Sequence, residues 1–146
     1  MDARESCLPD LLINQAKKTP DALAIVCGHE RISYWELDQA TDSLGAYLRH
    51  QGISLDDPVG LFMETCSEYV VASIGTLKAG AAFMPIALDS PDDLLTSIIA
   101  EARPKVIATK AQYVSRLTPL SSSAQILSLD SDQSWRHFKA EASGPG

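Results

Sequence analysis

Cysteine, histidine and aromatic side chains are scarce in this chain. Its 146 residues include three cysteines, three histidines and 6% aromatics. Cys7, Cys27 and Cys66 form no C-x-x-C pair, and an odd count fits a reduced compartment better than a disulfide framework. A cytoplasmic location is expected on that ground. There is no H-E-x-x-H, no clustered Cys and His, and no calcium-loop pattern, so metal ligation has no sequence basis. Long apolar runs are missing too. No stretch approaches the ~18 residues of a membrane-spanning helix, and Met1-Asp2-Ala3-Arg4-Glu5 lacks the basic start and apolar run of a secretory leader. Positive charge is in deficit, with 12 Lys and Arg against 19 Asp and Glu for a net charge of −7. A chain this acidic repels phosphate backbones and anionic lipid, so neither nucleic acid nor membrane is expected as a partner.

What is present is an ordinary globular composition, 45% hydrophobic and 21% charged. Leu8, Leu11, Leu12 and Ala16 share one face of a helix expected from about Leu8 to Lys18, with Lys17 and Lys18 at the negative end of its dipole and Pro20 as the stop. Leu23–Cys27 reads as a strand, Gly28-His29-Glu30 as a turn and Arg31-Ile32 as the return strand. Ser33 and Glu36 have the spacing of a capping box. The helix they open places Tyr34, Leu37, Ala40, Leu44, Tyr47 and Leu48 on its buried face, and Gly52 ends it.

From there strand and helix alternate. Strands are expected near 59–63, 82–86, 105–109 and 125–129. Thr65 and Glu68 are expected to cap a helix over 66–79 that Gly80 closes. Ser90 is expected to cap a helix over 91–102, with Pro91 at its first position and Leu94, Leu95, Ile98, Ile99 and Ala102 as its buried stripe. A short helix around Ala111–Leu117 leads to a Ser-rich loop over Thr118–Ser123, and Asp132–Lys139 reads as a last helix. Crossovers long enough for helices imply parallel pairing. The expected architecture is an α/β fold with a partial parallel sheet and flanking helices, preceded by a helix and a small β-hairpin. Leu61, Ile74, Leu77, Phe83, Ile86, Leu95, Ile98 and Ile107 should be buried. The organisation is expected to divide into one domain over 1–139, incomplete on the resemblance given below, and a flexible tail over 140–146.

No catalytic, cofactor-binding or metal residue is assigned. His29 falls in a turn, His50 at a helix end where the dipole favours it, and His137 near the C-terminus; all three read as surface residues. Asp89, Asp92 and Asp93 form a small acidic group best explained as the first turn of a helix. Cys66 falls at a helix start, a position that can lower a thiol pKa, but no partner base is identifiable. Tyr34, Tyr47 and Tyr69 read as core, whereas Trp35 and Trp135 have no assigned partner. G-x-S-x-G, G-x-G-x-x-G and G-x-x-x-x-G-K-[ST] are all absent.

Two segments nevertheless resemble a known family. Ile32-Ser33-Tyr34-Trp35-Glu36-Leu37 is similar to the first core motif of adenylate-forming enzymes, L-[TS]-Y-x-E-L. Leu77-Lys78-Ala79-Gly80-Ala81-Ala82-Phe83-Met84-Pro85-Ile86 is similar to the second, L-K-A-G-x-A-Y-[VL]-P-[IL]-D. Thr19-Pro20-Asp21-Ala22-Leu23-Ala24-Ile25-Val26 matches the family's usual approach to the first strand. The resemblance covers about Leu8 to Leu129 and extends to the adenylation domains of nonribosomal peptide synthetases and to aminoadipate- and β-alanine-activating enzymes. Ile86-Ala87-Leu88 departs from the usual Ile-Asp-Pro, with Asp89 two places late, which points toward divergent members.

The resemblance implies the N-terminal portion of an ATP-dependent ligase that joins a carboxylate to AMP and passes the acyl group to a thiol. ATP and magnesium are implied for the full-length enzyme, with phosphopantetheine or CoA as acceptor. The implied partners are the remainder of the adenylation domain and a small carboxylate substrate. The family's S-G-T-T-G-x-P-K-G loop and its distal lysine are not in this sequence, so the chain alone is expected to be inactive. The other reading is a non-catalytic α/β interaction module that keeps only the scaffold.

Overall fold

The computed structural model describes residues 3–120 and 124–130, with side chains from Leu11 onward. The expected helix over 132–139 and the tail over 140–146 lie outside the described residues. Helix α1 (Ala3–Lys18) leads into an antiparallel hairpin of β1 (Leu23–Cys27) and β2 (Glu30–Ser33), followed by α2 (Tyr34–His50). Then come β3 (Pro58–Phe62), α3 (Ser67–Lys78), β4 (Ala82–Pro85), α4 (Asp92–Ala102), β5 (Val106–Thr109), α5 (Ala111–Leu117) and β6 (Gln125–Ser128). A 3-10 turn, Thr118–Leu120, occupies the start of the expected Ser-rich loop.

The four later strands form one parallel sheet in the order β4-β3-β5-β6. Alternation along these strands sorts the core into two layers. Val59, Leu61, Met63, Val106, Ala108, Leu127 and Leu129 pack with Leu37, Leu44, Leu48, Val71, Ala72 and Ile74 of α2 and α3. Phe62 and Ile107 point to the opposite face and pack with Leu95, Ile99 and Leu117 of α4 and α5. This division is what right-handed crossovers demand. The connection from β3 moves one way along the sheet, whereas those from β4 and β5 move the other, so their helices fall on opposite faces. The hairpin closes onto the first layer through Ile25, Cys27 and Ile32.

The capping box forms as the sequence predicts. The Ser33 hydroxyl accepts from the Glu36 N–H at 3.1 Å, and the Glu36 carboxylate accepts from the Ser33 N–H at 2.9 Å. Gly52 and Gly80 follow their helices with φ of 94° and 84°, left-handed values that favour glycine.

Five local expectations are corrected. Helix α1 starts at Ala3 rather than Leu8, because its backbone extends upstream of the first residue of the apolar pattern. Thr65 and Glu68 form no capping box. The N-cap is Cys66, without a side-chain cap bond, and the Glu68 carboxylate lies instead 3.3 Å from the Ser67 Oγ and 4.0 Å from Lys110 Nζ. Ser90 does not cap α4. Pro91 stands at the N-cap in extended conformation, and Ser90 is buried one residue earlier, its carbonyl accepting from the Arg116 guanidinium. The buried stripe of α4 is narrower than expected. Leu95 and Ile99 are buried and Ile98 half-buried, but Leu94 is 49% exposed. Leu94 lies about 100° around the helix from Leu95, off the face that meets the sheet. Finally, Leu77 and Phe83 are half-buried rather than buried, Phe83 because β4 is an outer strand of the described sheet.

Candidate functional site

In an open α/β sheet, ligands bind beyond the carboxyl ends of the strands where the connections diverge. Here that point lies between β3 and β5. The chain leaves β3 toward β4 and leaves β5 toward β6, so the two exits part at a switch point, the place where sheets of this kind form their crevice. The residues just past the strand ends, Glu64 and Lys110, face one another across it.

Their geometry is that of a closed ion pair. Lys110 Nζ lies 3.0 Å from Glu64 Oε2 and 4.0 Å from Glu68 Oε1. The Tyr113 phenol, one turn into α5, donates to Glu64 Oε1 at 3.0 Å. The Glu64 carboxyl is held below the usual range first by its own backbone N–H and then by the Lys110 ammonium, with burial opposing them and the Tyr113 hydroxyl adding a lesser lowering effect. Lys110 is correspondingly pushed up, first by its bond to Glu64. Below the pair the strands are pinned by the Thr109 hydroxyl, which donates to the Phe62 carbonyl at 2.5 Å. The Phe62 ring meets Tyr113 edge-on at 5.5 Å and carries the Arg116 guanidinium at 5.6 Å. Beside the crevice, the Ser67 hydroxyl at the start of α3 donates to Glu30 of the hairpin.

The residues singled out from sequence do not gather here. His29 is exposed in the hairpin turn and His50 is exposed at the end of α2. Asp89 and Asp93 are exposed, and Asp92 pairs with Arg116 at 3.0 Å, so the acidic group is dispersed around the start of α4. Cys66 stands at the rim of the crevice, but burial pushes its thiol up, the reverse of an activated nucleophile. Tyr47 is buried, Tyr34 and Tyr69 are half-buried against the core, and Trp35 is 54% exposed. Cys7, Trp135 and His137 lie outside the described side chains. Among the described residues no group of His, Cys, Asp and Glu is arranged to hold a metal ion, and no helix is long and apolar enough to cross a membrane.

Sequence reasoning missed Glu64, Lys110 and Tyr113. The available signal was positional: each of the first two follows the last residue of a predicted parallel strand, the place where such sheets bind ligands.

The two core motifs occupy scaffold positions. The first is the capping box. The second runs from the end of α3 through Gly80 into β4, and its lysine is a structural clamp: Lys78 Nζ lies 2.7 Å from Asp38 and 2.6 Å from Asp42, tying α3 to α2. The AMP-binding enzyme family matches residues 12–144. Over 114 residues the chain is 36% identical to indigoidine synthase of Streptomyces lavendulae, covering 78% of this chain and 9% of that protein. The nonribosomal peptide synthetase FmoA3, solved with alpha-methyl-L-serine-AMP bound, superposes with a TM-score of 0.80 at 32% identity over 86% of this chain and 14% of its own. The N-terminal subdomain of Klebsiella oxytoca NpsA shares the fold, with a TM-score of 0.69 at 21% identity over 83% of this chain and 29% of its own. The departure after Ile86 thus leaves the likeness to peptide synthetases intact. The chain belongs to the AMP-binding enzyme family and corresponds to an N-terminal portion of an adenylate-forming domain.

Proposed function

We propose that this chain is the N-terminal scaffold of an ATP-dependent carboxylate-activating ligase acting in the cytoplasm. The whole protein would join a small carboxylate to AMP with release of pyrophosphate and pass the acyl group to a thiol carried by phosphopantetheine or CoA. The family match over residues 12–144 carries this reading, and FmoA3, a relative at 32% identity, holds an aminoacyl-AMP. The remainder of the adenylation domain is the partner that supplies the nucleotide site.

The described residues do not fit ATP or magnesium. Phosphate cradles need several glycine N–H groups at a strand-to-helix turn. The described glycines of positive φ, Gly28, Gly52 and Gly80, lie in the hairpin turn or after helices. The crevice ends carry Glu64 and Lys110, which already satisfy one another. Adenylation also needs preorganised donors and cations at the developing charge. The purified chain should therefore show no ATP–pyrophosphate exchange above background with any panel of amino or fatty acids. Reproducible carboxylate-dependent exchange would refute the scaffold reading. At the level of the gene, an in-frame S-G-T-T-G-type loop within the following codons supports it, and a stop codon on an expressed short transcript favours an interaction module.

A further inference from the structure

The two exits from the switch point diverge, so side chains rather than main chain must close the crevice between them. The groups that do so are few. Glu64 in the β3–α3 loop receives Lys110 at 3.0 Å and Tyr113 at 3.0 Å, and Lys110 reaches Glu68 at 4.0 Å. Both charged partners keep contact with water, Lys110 at 20% and Glu64 at 42% side-chain exposure. The pair is thus weak enough to break on its own, unlike the apolar contacts below it, where Leu61, Phe62 and Ile107 are fully buried. Cys66, the last residue of the β3–α3 loop and the N-cap of α3, is 9% exposed.

We propose that Glu64, Lys110 and Tyr113 form a latch that holds the β3–α3 loop shut across the switch-point crevice and opens locally, without unfolding the sheet. The latch gates the switch point of the described sheet, where the carboxyl ends of diverging strands can accept a ligand. It stands whatever reaction the whole protein performs, because it depends only on these three side chains and the strands that carry them.

Cys66 supplies a native reporter. Its alkylation by iodoacetamide in the intact 146-residue chain, followed by peptide mass spectrometry, reads how often the loop opens. Lys110→Met is the deciding variant, because the direct charge effect and the latch predict opposite signs. The Lys110 ammonium favours the Cys66 thiolate, so loss of that charge alone slows alkylation, whereas loss of the latch speeds it. We expect Lys110→Met and Glu64→Gln to raise the Cys66 rate about fivefold, the scale of a partly exposed ion pair. The Val70 amide, bonded to the Cys66 carbonyl, should exchange faster by a similar factor. The Ile86 amide, bonded to the Leu61 carbonyl within the sheet, should not change. Raising salt to about 1 M should speed Cys66 alkylation more in the unmodified chain than in Lys110→Met, because only the former still has the Lys110 pairs to Glu64 and Glu68 for salt to screen. The rise in the unmodified chain needs no variant to fold. Slower or unchanged Cys66 alkylation in Lys110→Met, no salt effect on the unmodified chain, or a matching rise at Ile86 would overturn the latch.

Discussion

Thr76 is fully buried on α3 and its hydroxyl has no hydrogen-bond partner among the described residues. A buried hydroxyl without a partner loses its hydration and gains nothing in return. Thr76→Val keeps the branched shape and removes the oxygen, so it should stabilise the chain by about 1 kcal/mol in a urea melt. A loss of stability would mean the hydroxyl has a partner after all. One residue earlier the opposite constraint holds. A Cβ on Gly75 would stand 2.9 Å from Leu44 Cδ2 and 3.0 Å from Leu44 Cβ. The Cβ is fixed to the α2 backbone and cannot swing aside. Gly75→Ala gains about 1 kcal/mol of helix propensity but meets overpacking of ~1–3 kcal/mol, so the net effect should be destabilising. A Cβ on the partner glycine, Gly45, would stand 3.2 Å from the Gly75 carbonyl oxygen. The two glycines let α2 and α3 approach closely, and Lys78 then locks them through Asp38 and Asp42. None of this was legible in the sequence, since Gly45 and Gly75 carry no turn signal and lie thirty residues apart in the chain.

Elements were more legible than residues, and unequally so. The box that opens α2 could be read directly because both partners are within three residues, and its geometry is observed intact. Ser33→Ala should cost about 1 kcal/mol by thermal melt, the usual loss for an N-cap, while Glu36→Gln, which retains an acceptor, should cost less. Equal losses would show that charge at the helix start matters more than the hydrogen bond. The Thr65–Glu68 box expected for α3 and the Ser90 cap expected for α4 did not form. Glu68 turns toward Ser67 and Lys110, a residue on β5's exit. Ser90 gives its carbonyl to Arg116 on α5, whose guanidinium also takes the Leu88 carbonyl at 3.1 Å. Local spacing nominated these caps, and spacing alone did not decide them.

At the scale of the whole molecule, the sheet carries an anchored carboxylate at each end of its first strand. Asp57, beside the start of β3, is held low by the Ser54 N–H and by Lys105, and Glu64, past its end, is held low by its own N–H and Lys110. Both pKa values are depressed on folding, so the folded state binds fewer protons than the unfolded one at acid pH. Their stabilisation is complete above the ordinary carboxylate values of 3.8 and 4.5 and disappears as pH falls through the lower, folded values. The melting temperature should fall between about pH 5 and pH 3. That fall should be shallower in an Asp57→Asn, Glu64→Gln double variant. An unchanged slope would mean that other acids dominate.

Parallel α/β class, the hairpin ahead of it, the order of elements and the family all follow from short-range information: apolar periodicity, turn residues and two contiguous motifs. These survive because each is encoded within one helix or strand and does not depend on what packs beside it. The strand order β4-β3-β5-β6 did not follow. Periodicity says that strands pair in parallel but not which ones are neighbours, and neighbour identity is what creates a switch point. Glu64 and Lys110, separated in sequence and unremarkable in type, become a pair only when β3 and β5 lie side by side. The sequence by itself determined the layers and the kinship. Only the tertiary structure decided which side chains meet at the carboxyl ends of the sheet, because that meeting depends on strand adjacency, a long-range choice made by the packing of helices on both faces.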